Sequence, residues 1–176
     1  MDSKLIKRIF SILIACCLAL PAQADDTLAA NKTAVQSAFL LNFAMFTEWP
    51  SLPNDEFRIC VLGDDSMLEA LASAKNKQIK GRPVTIVKVH DHNQLNVCQI
   101  LFVGQSKHAL MKDIADHIGN SPVLVVSDEN AYDPSEVTIV LGMQQDRIVF
   151  KVNRTASERQ SLNFSSKLLK LAVSVY

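Results

Sequence analysis

The sequence predicts an α/β three-layer sandwich: a largely parallel sheet with helices on both faces and an antiparallel hairpin near the C-terminus. Three observations lead to this prediction. Short apolar runs alternate along the chain with segments of helical periodicity, as in folds built from βαβ units. These runs are apolar throughout, which is typical of strands buried on both faces. Two last apolar runs are separated by only a few polar residues around Gln144, so we expect them to pair as a hairpin.

The first predicted element is a helix over residues 27–46. Its apolar side chains recur at spacings of four, four and three, at Val35, Phe39, Phe43 and Phe46. This spacing places them on one face of a helix, which we expect to face the core. The helix is expected to end before Pro50, because the residue preceding a proline avoids helical dihedral angles.

The remaining elements follow in alternation. We expect strands over residues 57–62, 84–89, 98–103 and 123–126. Helices are expected over residues 66–74, 106–118 and 165–173, and Ser106 has the side chain of a helix N-cap. The hairpin is predicted from strands over residues 138–141 and 148–152.

The N-terminus has the pattern of a secretory signal peptide over residues 1–24. Basic residues precede a 12-residue apolar run, and Ala22-Gln23-Ala24 forms a cleavage pattern. The run is too short for a membrane-spanning helix, which needs about 20 residues. An alternative is a lipoprotein signal, since Leu13-Ile14-Ala15-Cys16 resembles a lipobox and would place a lipid on Cys16. Either interpretation predicts an exported protein, in the periplasm, with residues 25–176 as a single domain.

The charge and the cysteines of the exported chain narrow its class. The full sequence has 18 Lys and Arg against 18 Asp and Glu, a balance that argues against a nucleic-acid-binding protein. Removal of residues 1–24 leaves two cysteines, Cys60 and Cys98. In an exported domain such a pair favours a disulfide, and two separately buried thiols are the alternative.

Three predicted strands end in similar polar turns, which we treat as a candidate ligand crevice. If the strands are parallel, the turns meet at one edge of the sheet, where open α/β sheets bind ligands. The alternative is that these residues only form tight turns and helix caps. The candidate residues are Gly63, Asp64, Ser66, Gly104, Ser106, Ser127 and Asp128.

We find no pattern of catalytic or metal-binding residues. The sequence lacks the glycine-rich nucleotide motifs and the G-x-S-x-G motif of hydrolases. His90-Asp91-His92 is the one cluster of metal-ligand types, and we expect a surface loop there because no third ligand is evident. His108 and His117 are nine residues apart and are expected on a helix surface. We therefore expect no catalytic residues, no metal and no cofactor.

A series of motifs resembles the YfiR-like family of bacterial periplasmic proteins. The chain has F-x-x-F-x-x-W-P at residues 43–50, followed by I-C-V-L-G at 59–63 and I-K-G-R-P-V at 79–84. Later segments are C-Q-I-L-F-V at 98–103, V-L-V-V-S-D at 123–128, R-I-V-F-K-V-N at 147–153 and S-S-K-L-L-K-L-A at 165–172. Together they cover residues 35–172 in one order.

The resemblance implies a non-catalytic domain, often dimeric, that restrains an inner-membrane diguanylate cyclase by binding its periplasmic sensor domain. Release of that restraint, linked to envelope stress and redox state, would raise cyclic di-GMP and favour biofilm formation. Cys60 and Cys98 match the strand-to-strand cysteine pair of the family. The alternative hypothesis, which needs no family resemblance, is a periplasmic small-molecule-binding protein that uses the crevice described above.

Overall fold

The fold is organised around one sheet of eight strands. The computed structural model describes residues 24–53, 55–128 and 134–176, so the predicted signal peptide up to Gln23 lies outside the described residues. Residues 32–176 form one compact unit. The strands are β1 (Thr47–Glu48), β2 (Phe57–Leu62), β3 (Gln78–Ile79), β4 (Arg82–Lys88), β5 (Ile100–Val103), β6 (Leu124–Asp128), β7 (Ile139–Gln144), β8 (Arg147–Val152), β9 (Asn163–Phe164) and β10 (Ser174–Val175).

Within the described residues, five α-helices and four short 3-10 helices precede or connect these strands. The α-helices are α1 (Ala24–Phe46), α2 (Asp65–Leu71), α3 (Met111–Ile118), α4 (Arg154–Arg159) and α5 (Ser166–Leu171). The 3-10 helices are Ala72–Ala74, His92–Val97, Gln105–Leu110 and Pro134–Glu136. In the described parts of the chain, no helix has both the length and the hydropathy needed to cross a bilayer.

The strand order of the large sheet is β10-β8-β7-β6-β5-β2-β4-β3. The five strands from β7 to β4 are parallel. β7 and β8 form the predicted antiparallel hairpin, in which Gln144 pairs with Arg147. The predicted fold class, a mainly parallel sheet with a C-terminal antiparallel hairpin, is therefore confirmed.

Successive residues of the central strands point to opposite faces of the sheet and enter two separate cores. In β2, Ile59 lies in one core and Cys60 in the other. In β5, Phe102 and Leu101 divide in the same way. The two-residue period of a strand produces this division, so apolar runs without alternation correctly indicated strands covered on both faces.

The first core lies between the sheet and the helices α1 and α2. Phe43 of α1 is fully buried, and its ring lies 5.8 Å from that of Phe39 and 5.1 Å from that of Phe150. The predicted apolar face was wrong at one position, since Val35 is about half exposed. The buried stripe of α1 instead begins at Gln36 and continues through Leu40, one position along from Val35.

The second core lies on the opposite face, under α3. Met111, Ile114 and Ile118 of α3 pack there with residues of β2, β5 and β6. Cys60 and Cys98 belong to this core and are joined by a disulfide, with a Cα–Cα distance of 5.9 Å. The disulfide therefore links Cys60 of β2 to Cys98, which lies just before β5 begins at Ile100.

Several predicted helices differ from the structure in their bounds or type. The helix expected over residues 66–74 is an α-helix only from Asp65 to Leu71 and ends as the 3-10 helix Ala72–Ala74. The segment after β5 begins as a 3-10 helix and becomes α-helical only at Met111. Ser106 does not cap it, because Gly104 holds the N-cap position and the Ser106 hydroxyl is bonded elsewhere. The last helix ends at Leu171 rather than at residue 173, because the chain then forms β10 beside β8. Periodicity cannot detect β1, β3, β9 or β10, which have two residues each.

A polar contact at the amino end of β2 involves Glu56, the residue just before the strand. Its carboxylate accepts hydrogen bonds from the Thr85 hydroxyl and from Nε of Arg58. Both bonds hold the pKa of Glu56 below its usual value, and the bond from Thr85 has the larger effect on that pKa. Glu56 thus supplies a titratable contact between β2 and β4.

Candidate functional site

The predicted crevice residues do meet at one edge of the sheet. Gly63, Asp64 and Ser66 follow β2, Gly104 and Ser106 follow β5, and Ser127 and Asp128 end β6. Because β2, β5 and β6 are parallel neighbours, their carboxyl ends share this edge. The seven residues differ in what they do there.

The topological switch point of the sheet lies between β2 and β5. From β2 the chain passes through α2 to β4 on one side, and then returns past β2 to β5 on the other. α2, which follows β2, packs on the first core, and α3, which follows β5, packs on the second core. The chain therefore leaves β2 and β5 on opposite faces of the sheet. In open α/β sheets this divergence opens a crevice that binds ligands, which here would lie between Gly63 and Gly104.

Direct contacts fill this position. The Ser106 hydroxyl donates a hydrogen bond of 2.7 Å to the carbonyl oxygen of Gly63. The backbone N–H of Gly104 donates to the carbonyl of Leu62 at 2.8 Å. A Cβ atom on Gly104 would lie 2.7 Å from the carbonyl oxygen of Gly63, so glycine is needed for the close approach of the two turns.

Asp64 and Ser66 form the N-terminal cap of α2. Asp64 Oδ1 accepts hydrogen bonds from the Met67 backbone N–H at 2.9 Å and from the Ser66 hydroxyl at 2.6 Å. An N-cap carboxylate satisfies one of the unpaired N–H groups of the first turn. The geometry gives these two residues a local structural role.

Ser127 and Asp128 contact a buried histidine, His108, whose predicted position was wrong. His108 was expected on a helix surface, but it is 4% exposed. Its Nε2 lies 2.9 Å from Ser127 Oγ and 3.0 Å from Asp128 Oδ1. The helical spacing of His108 from Met111 and Ile114, which are also buried, is the signal that could have predicted its burial.

This Ser-His-Asp group lacks the arrangement of a catalytic triad. In a triad the acid and the nucleophile contact opposite nitrogens of the imidazole, whereas here Ser127 and Asp128 both approach Nε2. The Ser127 hydroxyl is fully buried and also donates to the carbonyl of Val103. Asp128 Oδ1, although close to Nε2, is buried and has no hydrogen-bond partner among the residues that the structure describes. The cluster joins β5 and β6 to the intervening 3-10 helix.

An open cavity lies beside the filled switch point, at the carboxyl ends of β2 and β4. Its volume is about 390 Å³. Of the seven predicted residues, Gly63 lines it. The others that line it, which the sequence analysis did not select as ligand residues, are Leu62, Asp65, Lys88, Val89, His90 and Lys107. We call this cavity the β2–β4 pocket.

Three charged side chains, those of Asp65, Lys88 and Lys107, line the β2–β4 pocket. Lys88 Nζ lies 2.6 Å from Asp65 Oδ1. The stem of Lys107 covers Gly63, so closely that a Cβ there would lie 2.3 Å from Lys107 Cγ. His90, the first residue of the His-Asp-His cluster, is exposed at the rim, while the side chain of His92 lies outside the described residues. Within the described chain, no three His, Cys, Asp or Glu side chains could hold a metal ion together.

A second exposed feature lies at the edge of the sheet formed by β10. Four large apolar side chains are exposed within the last six residues, and one of them, Leu171, is 69% exposed. The others are Val173, Val175 and Tyr176. β10 pairs with β8 on one side and is the edge strand of the sheet. We call these four residues the C-terminal apolar edge.

Comparison with solved structures supports the fold. A conserved domain protein from Vibrio cholerae O1 biovar El Tor strain N16961 superposes with a TM-score of 0.53 at 10% identity, over 81% of this chain and 60% of that protein. The ABC domain from Streptococcus pneumoniae, solved in complex with L-Trp, gives a TM-score of 0.53 at 11% identity, over 82% and 60%. This chain thus spans about 60% of the length of either structure. At such identities the likeness concerns the fold alone.

Sequence comparison identifies the family. No curated protein matches the chain. The family model described as YfiR/HmsC-like (DUF4154) matches residues 33–173, which include all strands of the large sheet except the last, β10. This range agrees with the series of motifs that runs from residue 35 to residue 172. The chain therefore belongs to the YfiR/HmsC-like family.

Proposed function

We propose that this chain is a periplasmic regulatory protein that binds and restrains an inner-membrane signalling protein, namely a diguanylate cyclase with a periplasmic domain. Family membership carries the proposal, because at the level of the family it supports a non-enzymatic periplasmic regulator of such a cyclase. Residues 1–24 would direct export. The disulfide between Cys60 and Cys98 agrees with an oxidising compartment.

The C-terminal apolar edge is the surface that we propose for the partner. Contiguous apolar side chains on the surface of a protein favour contact with another protein. An edge strand such as β10 also offers unpaired backbone groups to an incoming strand. Leu171 is the central candidate because it is the most exposed large apolar residue among those described.

The proposed mechanism is a shift in the populations of the cyclase. A bound regulator restrains an enzyme only through its higher affinity for the inactive state, and the shift cannot exceed that difference in affinity. The proposal assigns no catalytic step to this chain. The position of both Ser127 and Asp128 at one nitrogen of His108 is consistent with that assignment.

Cross-linking in intact cells tests the proposal. The tagged full-length protein is cross-linked, and captured inner-membrane proteins are identified, for the wild type, Leu171→Glu and Val97→Glu. Val97 is 46% exposed and belongs to the 3-10 helix before β5, so Val97→Glu is a matched control outside the proposed surface. We expect the wild type and Val97→Glu to capture a cyclase, and Leu171→Glu to lose it while keeping its melting temperature.

Cyclic di-GMP supplies the second readout. Deletion of the gene should raise cyclic di-GMP and surface attachment, and complementation with Leu171→Glu should fail to lower them. Unchanged cyclic di-GMP after deletion, under both reducing and oxidising stress, would refute regulation of a cyclase. Equal capture by Leu171→Glu and the wild type would remove the C-terminal apolar edge from the proposal. A cross-linked pair of copies of this chain would instead support a homodimer there.

A second candidate function is small-molecule binding, which the β2–β4 pocket favours. Its volume of about 390 Å³ lies within the range typical of ligand sites. A ligand that binds only the folded state raises the melting temperature by mass action. We therefore expect at least one class of small molecule to raise the melting temperature, and a screen in which no compound does so would refute this candidate. The ligand could in turn set the affinity for the cyclase.

A further inference from the structure

We infer that the β2–β4 pocket binds a small organic anion, one that carries a phosphate or carboxylate group on a short apolar body. This inference rests on the second proposed function and names the class of its ligand. The pocket combines lysine side chains from two separate segments with apolar walls. It lies beside the turns after β2 and β5, which are closed against each other by the bond from Ser106 to Gly63.

The formal charge of the pocket is positive. Lys88 at the end of β4 and Lys107 after β5 each contribute one positive charge, and Asp65 at the start of α2 contributes one negative charge. His90 adds a further donor at the rim. An anion therefore meets net attraction in the pocket, whereas a cation meets net repulsion.

Both lysines have donors to offer. An ammonium group has three N–H donors, and Lys88 uses one on Asp65 at 2.6 Å. The Lys88 side chain is 46% exposed and the Asp65 side chain is 73% exposed, and ion pairs with this much access to solvent contribute little to stability. A ligand anion can therefore compete with Asp65 for Lys88.

Lys107 is placed by packing rather than by an ion pair. Its stem lies against Gly63, and none of the ion pairs recorded within residues 24–53, 55–128 and 134–176 involves it. Because the stem is held over the turn, Nζ loses less freedom when a ligand binds than the amine of an unsupported surface lysine would. Lys107 is thus the residue on which we expect anion affinity to depend most.

The lining and the volume of the pocket indicate what the ligand carries besides its anionic group. Leu62 and Val89 line the pocket but are only 4% and 2% exposed, so they offer a ligand a small apolar surface, which an inorganic ion cannot use. The volume of about 390 Å³ exceeds what one phosphate or carboxylate group needs. We therefore expect a phosphate ester or a dicarboxylate of a few carbons to bind more tightly than inorganic phosphate.

Titration of the isotope-labelled full-length protein, followed by NMR, tests the inference. The probes are inorganic phosphate, glycerol phosphate and succinate, with glucose and choline as neutral and cationic compounds, all at constant ionic strength. The variants are Lys107→Gln, Lys88→Gln and Asp65→Asn, and Lys75→Gln is the control because Lys75 is exposed and does not line the pocket. Constant ionic strength matters because dissolved salt screens the attraction between exposed charges.

The variants should shift affinity in opposite directions. Loss of one charge-assisted hydrogen bond predicts that Lys107→Gln weakens anion binding about tenfold. Asp65→Asn should strengthen anion binding, because it removes the one negative charge and frees Lys88, and Lys75→Gln should leave it unchanged. Saturable shifts of the Gly63 and His90 amides that follow this order would support the inference. Anion shifts that do not saturate, or that are equal in all variants, would overturn it.

The same titration separates this inference from the proposed function beneath it. If glucose or choline saturates the pocket and the anions do not, small-molecule binding survives and the anionic class is refuted. If no probe binds, both are refuted. Sedimentation with phosphatidylglycerol vesicles, compared with phosphatidylcholine vesicles, shows whether the phosphate comes from a lipid headgroup or from a free ester.

Discussion

Reduction of the disulfide between Cys60 and Cys98 should lower the stability of the domain by a predictable amount. The two residues are 38 positions apart, and a cross-link that closes a loop of this length contributes about 4 kcal/mol in the chain-entropy model. In a domain of 150 to 250 residues, each kcal/mol changes the melting temperature by roughly 2–4 °C. We therefore expect reduction to lower the melting temperature by roughly 8–16 °C.

Burial of the bond adds a kinetic prediction. Cys60 is 0% exposed and Cys98 is 1% exposed, so a reductant reaches the sulfurs only when the second core opens. Reduction under native conditions should accordingly be slow, with a rate that rises in mild denaturant as opening becomes more frequent. A disulfide that serves as a rapid redox switch would instead react at a rate independent of denaturant.

Thermal unfolding followed by circular dichroism measures the effect. A chain that starts at Asp25 is suitable, because it lacks Cys16 and Cys17 and retains only this pair. The reduced wild type is the primary sample, since it keeps every side-chain atom of the second core. The variant with both Cys60→Ala and Cys98→Ala is the control, because added reductant should not change its melting temperature.

One result would refute this reasoning. If the oxidised and fully reduced wild type melted at the same temperature, with thiol titration showing two free cysteines after reduction, the bond would contribute nothing to stability. The chain-entropy estimate and the structural role assigned to the bond would then both be wrong.

Three further predictions concern separate contacts. Gly104→Ala should cost about 1–3 kcal/mol in denaturant unfolding, because the added Cβ meets the carbonyl of Gly63 at 2.7 Å; an unchanged midpoint would contradict the closed switch point. Phe43→Ala should cost about 3–5 kcal/mol by the same measurement, since the ring is fully buried in the first core, and a loss typical of a surface site would contradict the packing of α1. NMR titration should find the pKa of Glu56 below its usual value, and Thr85→Val should raise it because the larger hydrogen bond is lost. Since the folded pKa is the lower one, this contact stabilises the fold above the unfolded pKa and is lost as pH falls through the folded pKa; an identical titration in Thr85→Val would refute the assigned cause.

The layers of the fold could be predicted from the sequence because they depend on local periodicity. Residues 57–62 and 98–103 are apolar at successive positions, and the structure divides such neighbours between two cores. Side chains that alternate along a strand enter opposite layers whatever the partner strands are. Elements of two residues, such as β3 and β10, carry no period and could not be found in this way.

For the candidate site, the sequence could predict which turns share an edge of the sheet, but not whether a crevice remains between them. Parallel strands bring their carboxyl ends together, so the turns after β2, β5 and β6 share an edge as expected. Whether a gap remains there depends on contacts such as that of Ser106 with Gly63, 43 positions apart in the chain. The burial of His108 was detectable in principle from its spacing to Met111, but its contacts with Ser127 and Asp128 were not.

The sequence by itself determined the class of fold, the two apolar faces of the sheet and the family to which the chain belongs. It favoured a disulfide between Cys60 and Cys98, and the structure joins them. The tertiary structure decided which polar residues of the sheet edge are used in closing it, where an open cationic pocket remains, and which apolar side chains stay exposed beside β10. The physical reason is the separation along the chain over which each kind of interaction acts. Periodicity and turn chemistry act over a few neighbouring residues, whereas closure and exposure depend on packing between segments that are distant in sequence.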